Sequence, residues 1–280
     1  MTAALAGRRV LVKIGGAALL APDDRARIAR DLAVVHAAGA HLLIVHGGGP
    51  QATNLAKRLG HEPEFRGGRR VTDAAMLEIV KMALVGQAGT DLLAACLAAG
   101  LPAVSTSASS GRCVTATRRP PRGVAGEADP VDFGLVADVA AVNGHLLETL
   151  WRGGFVPALS SVVIDEDGQP LNLNADTLVR SLCDALPFDD VFFLADVPGV
   201  FADLERPESH LPVVQTNQIS ALIATGVVQG GMIAKLTEMA GIVSGGVQTA
   251  WIVGLHEPAP VSAALAARPG RRTAVRAPQR

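Results

Sequence analysis

Three times in this chain a short run of apolar and β-branched residues ends in a glycine-bearing turn. Arg9 to Ile14 stops at Gly15-Gly16, and His41 to His46 at Gly47-Gly48-Gly49. Asp190 to Leu194 leads into Asp196-Val197-Pro198-Gly199. Stretches with helical apolar spacing lie between such runs. One is Asp23 to Ala38, with Pro22 before it and Gly39 after it; another is Gln51 to Leu59. A third is a long region that Thr72-Asp73 can cap, running to about Ala99 with a break near Gly86 to Gly89. Strands alternating with helices are the sequence form of a parallel α/β sheet, because each parallel pair needs a crossover.

The same reading continues to the end of the chain. Strands are expected at Pro102 to Thr106, Phe155 to Leu159 and Thr249 to Val253, and helices at Asn143 to Trp151, Asn174 to Leu186, Thr216 to Thr225, Met232 to Ser244 and Ala259 to Ala267. Residues 107 to 130 read as a hairpin with an exposed tip, and 203 to 212 as a polar loop. A second hairpin, Val162 to Asn172 around Asp165-Glu166-Asp167-Gly168, interrupts the alternation. It suggests two lobes, 1–172 and 173–280, within a single domain of 280 residues.

Composition excludes several classes. The chain is 49% hydrophobic and 18% charged, so a packed core is expected. A net charge of −1 gives no basic field for nucleic acid. The basic stretch Arg268, Arg271, Arg272, Arg276 and Arg280 reads as a solvated tail. Three widely spaced cysteines, Cys96, Cys113 and Cys183, lack metal or disulfide spacing and suit a reducing cytoplasm. No signal peptide is visible in Met1 to Arg9, and no run of about 18 uncharged apolar residues suggests a membrane span.

Only four of the 25 basic residues are lysine: Lys13, Lys57, Lys81 and Lys235. Lys13 precedes Gly15-Gly16, and Lys235 follows Gly230-Gly231-Met232. A lysine beside a glycine turn suits a phosphate: backbone N–H groups approach it closely and the ammonium neutralises it. Gly47-Gly48-Gly49, between a strand and a helix, offers N–H groups to an anion; a bare turn there needs one glycine, not three. In Gly67-Gly68-Arg69-Arg70-Val71-Thr72 an arginine can grip a carboxylate, although Arg69-Arg70 taken alone reads as a solvated pair. Asn172 and Asn174 share one face of an extended segment, with Asp176 in the next helical turn. Asn174 is also a simple N-cap. Asp196 ends a strand where open α/β sheets contact ligands, although Asp-x-Pro-Gly is a turn in its own right. His46 borders the triplet as a packing or capping group. P-loop and Rossmann fingerprints are absent.

Taken in order, these motifs resemble the amino acid kinase family. They are Val12-Lys13-Ile14-Gly15-Gly16, Val45-His46-Gly47-Gly48-Gly49-Pro50, Arg70-Val71-Thr72, Asn172-Leu173-Asn174-Ala175-Asp176-Thr177, Asp196-Val197-Pro198-Gly199-Val200 and Gly230-Gly231-Met232-Ile233-x-Lys235. Within it they resemble the branch that phosphorylates the side-chain carboxylate of N-acetyl-L-glutamate with ATP in arginine biosynthesis. The resemblance implies an open, mostly parallel eight-stranded sheet between helices. It makes Lys13, Lys235 and Asp176 catalytic, and Gly48, Gly49, Arg70 and Asn172 acceptor-binding. It gives Gly15, Gly16, Asp196, Val197, Pro198, Gly199, Val200, Phe201, Gly230, Gly231 and Met232 to the nucleotide. ATP and Mg2+ are implied, the metal riding on the nucleotide with no protein site. So is a homodimer joined by the N-terminal lobe. Arginine-inhibited relatives carry an extra N-terminal helix; Met1 to Gly7 is too short for one, so weak or no arginine inhibition is expected. Arg69, Ala234 and Gly86 to Thr90 depart from the usual pattern. Other readings are a relative acting on carrier-linked aminoadipate and a non-catalytic amino-acid or nucleotide sensor.

Overall fold

In a computed structural model, residues 5–124, 126–203, 205–229 and 231–278 are described. The N-terminal half runs β1 (Arg9–Ile14), α1 (Pro22–Ala37), β2 (His41–His46), α2 (Gly49–Arg58), β3 (Phe65–Arg66), β4 (Arg69–Arg70), α3 (Ala74–Lys81), a π-helical segment (Met82–Ala88), α4 (Gly89–Ala98), β5 (Ala103–Ser107), β6 (Val114–Arg118), β7 (Ala137–Val142), α5 (His145–Arg152), β8 (Val156–Ser160), β9 (Val162–Asp165) and β10 (Pro170–Asn172). The remainder runs α6 (Ala175–Ala185), β11 (Asp190–Ala195), β12 (Val200–Phe201), β13 (His210–Leu211), β14 (Val213–Gln215), α7 (Ile219–Ala224), α8 (Gly231–Ser244), β15 (Thr249–Gly254), α9 (Pro260–Leu265) and β16 (Arg272–Arg276).

Eight strands form one sheet in the order β14-β16-β15-β11-β1-β2-β8-β5. All neighbours are parallel except β15 with β16. Successive residues of a strand face opposite sides, and both faces here are covered, so the central strands read as continuous apolar runs. Val10, Val12 and Ile14 pack with α1, α4 and α9. Leu11 packs with α5, α6, α7 and α8, and with a second sheet ordered β10-β9-β6-β7. Full burial of each such side chain contributes roughly 1.5–3 kcal/mol.

Four expectations need correction. The basic C-terminal stretch is no solvated tail: Arg272–Arg276 is β16, inserted between β14 and β15, with Thr273, Ala274 and Val275 buried; Arg280 lies outside the described residues. The loop at 203–212 contains β13, paired with β12. Near Gly86 to Gly89 the helix does not break but widens into the π-helical segment and continues as α4. This 25-residue stretch, Ala74–Ala98, is long and apolar enough to cross a membrane by length and composition. Yet Met76, Ile79, Val80, Ala83, Leu84, Leu92 and Cys96 are buried inside the protein, as in an internal helix. The hairpin read at 107–130 is longer, pairing β6 with β7 as far as Val142.

Candidate active site

Lys13 sits two residues past Leu11, so the strand alternation turns it toward α6 and α8. Those helices bring Asp176 and Lys235. Asn174 caps α6: its side-chain oxygen accepts from the N–H groups of Asp176 at 2.8 Å and Thr177 at 3.0 Å. Asp176 is thereby fixed in the first turn, where the helix dipole favours a carboxylate. Lys13 Nζ meets Asp176 Oδ1 at 2.9 Å. That oxygen is buried and has no aligned hydrogen-bond donor among the described residues, so the contact is an ion pair rather than a well-directed hydrogen bond.

Lys235 is half-buried on α8. Burial, and next the nearby Lys13 charge, hold its pKa below the ordinary lysine value; Asp176 and Asp196 oppose the shift. Glu238, one turn further along α8, has its pKa raised by burial and by Asp176. Two ammonium groups and two carboxylates thus share one small volume, with the second ammonium poorly solvated. Such a site gains from the arrival of an anion.

Beside it opens a cleft of about 350 Å3. Lys13, Gly15, Gly16, Gly47, Gly48, Gly49, Arg69, Arg70, Asn172 and Asp176 all line it. Two of these glycines sit at close approaches: a Cβ on Gly16 would lie 2.7 Å from Pro50 Cδ, and one on Gly48 2.7 Å from Leu84 Cδ1. The π-helical segment carries Leu84 to that contact. Arg70 is anchored by the Gly49 carbonyl at 3.1 Å and Thr53 Oγ1 at 2.7 Å, and its guanidinium lies 4.7 Å over the Phe65 ring. Arg69 is exposed. Asn172 donates from Nδ2 to Thr72 Oγ1 at 3.1 Å.

A second cleft, of about 530 Å3, is lined by Val197, Gly199, Val200, Phe201, Gly226 to Gln229 and Met232. Gly199 has φ +151°, and a Cβ there would strike His210 and Thr273. Thr273 of β16 accepts from the Val200 N–H at 2.8 Å and donates to the Leu211 carbonyl at 2.6 Å. Asp196 and Pro198 flank this cleft without lining it. Gly15 and Gly16, expected on the nucleotide side, line the first cleft. Gly230 lies outside the described residues.

Sequence reading missed Arg119. It is buried in the wall of the first cleft, Nη2 2.9 Å from Asp138 Oδ1 and 3.1 Å from the Ala137 carbonyl oxygen. Arg122 meets the same carboxylate at 2.6 Å. Nothing in the sequence pairs residues 119 and 138; the β6–β7 register does. The cysteines are buried, and burial pushes Cys96 up to about 12 and Cys113 to about 11, so they are inert thiols.

The chain is 40% identical to an acetylglutamate kinase of Anaeromyxobacter dehalogenans (strain 2CP-C) over 259 residues, covering 92% of this chain and 96% of the relative. It is 39% identical to an acetylglutamate kinase of Symbiobacterium thermophilum, covering 88% and 84%. The fold matches N-acetylglutamate synthase from Neisseria gonorrhoeae, a crystal structure with coenzyme A and N-acetyl-glutamate, with a TM-score of 0.81 at 20% identity. That alignment covers 99% of this chain and 61% of the other. A sequence description of the amino acid kinase family matches residues 8–254, and the chain belongs to that family.

Proposed function

We propose that this protein transfers the terminal phosphoryl group of ATP to the side-chain carboxylate of N-acetyl-L-glutamate. The product is N-acetyl-L-glutamyl 5-phosphate, an intermediate of arginine biosynthesis. One observation carries the reading: the Lys13–Asp176 ion pair stands at the glycine-lined cleft, with Lys235 near enough to feel the Lys13 charge. The acceptor is taken from the acetylglutamate kinases that the chain matches along most of its length.

The acceptor carboxylate has an ordinary pKa of about 4.3, so it is already a nucleophile at neutral pH and needs no general base. What remains is to align two anions and screen their repulsion. In this reading Lys13 and Lys235 neutralise the transferring phosphoryl group, and Asp176 holds both lysines in place. The N–H groups of Gly48 and Gly49 take the acceptor carboxylate, while Arg70 and Asn172 take its other polar groups. Gly15 and Gly16 face the transferring phosphate between the clefts. The nucleotide occupies the second cleft, along Asp196 to Phe201 and Gly230 to Met232.

Among the described residues no three His, Cys, Asp or Glu side chains gather as metal ligands. Mg2+ enters this reading, as the family resemblance implies, on the nucleotide phosphates, where it would offset their charge. The two lobes, 1–172 and 173–280, act as acceptor and nucleotide halves of one continuous sheet. Exposed Val34, Met82, Val85 and Leu97, on α1, the π-helical segment and α4, support a homodimer through the N-terminal lobe. Buried free thiols suit a cytoplasmic protein.

The test is a hydroxamate assay for acyl phosphate with ATP, Mg2+ and a panel of N-acetylglutamate, glutamate and aminoadipate. Turnover of N-acetylglutamate alone is expected. Preference for another acceptor, or no acyl phosphate from any, would refute the reading.

A further inference from the structure

His46, the last residue of β2, has no solvent exposure. Its Nδ1 lies 3.0 Å from the carbonyl oxygen of the next residue, Gly47. A carbonyl only accepts, so Nδ1 carries the proton and Nε2 is left as a bare acceptor. Nε2 is buried without a hydrogen-bond partner. It faces Gly89, where an added Cβ would come within 3.6 Å of it. Burial also lowers the imidazole pKa, which keeps the ring neutral. A leucine would fill this slot without stranding a polar atom, so packing alone does not account for the histidine.

The peptide between Gly47 and Gly48 does. In a trans peptide the C=O and the following N–H point in opposite directions. With the Gly47 carbonyl drawn toward the ring, the Gly48 N–H is aimed away from it. That N–H donates to no acceptor among the described residues, and Gly48 lines the first cleft. Two consecutive glycines have no side chains to hold their peptide plane, so an outside group must.

We propose that His46 is a positioning residue. It fixes the Gly47–Gly48 peptide so that the Gly48 N–H stands in the cleft as a preset donor to a carboxylate oxygen of the acceptor. The idea rests on the proposed use of this cleft, but the peptide orientation can be measured without turnover.

The experiment compares H46N and H46L in protein labelled with 15N-glycine. Asparagine carries an amide N–H close to where Nδ1 sits; leucine fills the space with no donor. The Gly48 amide resonance of the unliganded protein should stay near its wild-type position in H46N and shift or broaden in H46L. H46L should lose about 10-fold or more in kcat, below the full loss of an oxyanion donor, with the KM for ATP nearly unchanged. H46N should recover most of that loss. If H46L does not fold, H46Q replaces it, since its longer amide overshoots the Gly47 carbonyl and should behave as donorless. A Gly48 resonance indifferent to loss of the donor, or H46N as impaired as H46L, would overturn the proposal. If wild-type protein makes no acyl phosphate, the proposed function fails, while the Gly48 resonance still decides the role of His46.

Discussion

Replacing Lys13 with methionine separates catalysis from folding, because the structure assigns the two very different magnitudes. Methionine keeps the length and apolar stem of lysine and removes the ammonium. Its partner Asp176 is 37% exposed at the side chain, and Lys13 itself 16%. The carboxylate keeps some solvent contact and the nearby Lys235 ammonium, and the repulsion between the two lysines is relieved, so the net change in stability should stay at about 1 kcal/mol or less. The melting temperature should therefore move by no more than about 4 °C. In the proposed transfer the same ammonium faces charge spreading over the phosphoryl oxygens. Losing one preset donor of that kind costs about 2.7–4 kcal/mol, or 10²–10³ in kcat. The KM for N-acetylglutamate should change far less, since the interaction strengthens mainly in the transition state. Hydroxamate initial rates at varied substrate, with a thermal melt of the same sample, measure both quantities. A K13M variant within about 5-fold of wild-type kcat would refute the assigned role. So would an activity loss that merely follows a large loss of stability.

Four further outcomes are expected. R70A should raise the KM for the acetylated acceptor and leave that for ATP nearly intact, because Arg70 is braced against Gly49 and Thr53; R69A, at an exposed position, should do much less. Burial and Lys13 lower the Lys235 pKa, so kcat/KM should fall on the alkaline side below the ordinary lysine value of about 10.4. A depressed lysine pKa means that the fold disfavours the charge, a cost present in full at neutral pH and relieved only as pH rises through the folded pKa. K235M should thus raise the melting temperature while abolishing turnover, and a lowered melting temperature would contradict the burial argument. Gly134 has φ +74°, and a Cβ there would strike the Thr72 carbonyl oxygen. G134A should cost about 2–4 kcal/mol in a urea titration and loosen the wall that holds Asn172.

The central strands were legible because they are buried on both faces. β1, β2 and β11 carry apolar runs bounded by turns, and the sequence reading of each agrees to within a residue. Asn174 as a cap was equally plain, since the rule is local. β16 was hidden by its own composition. Arginines at both ends enclose only three buried residues, and what buries them is pairing with β15 and β14, far away in sequence. The π-helical segment has no residue signature; it looked like a break because glycine weakens a helix on average. Arg119 failed for a third reason. Its burial depends on Asp138 across a hairpin, and register is not written in either residue. In sequence His46 reads as a packing or capping group, and the neighbouring carbonyl that gives it a direction is set by the fold.

The place of β16 in the sheet has a consequence for the order in which the protein matures. Strand β14 joins the eight-stranded sheet only through β16, and the Gly199–Val200 turn leans on Thr273. A chain emerging from the ribosome exposes Lys13, Asp176 and Lys235 well before Arg272–Arg276 appears. Until that strand inserts between β14 and β15, the wall of the second cleft lacks its Thr273 brace and two strand edges stand open to other chains. In the order of synthesis the lysines therefore precede the strand that braces the second cleft, and in the proposed reaction that cleft cannot be complete until Arg272–Arg276 has paired.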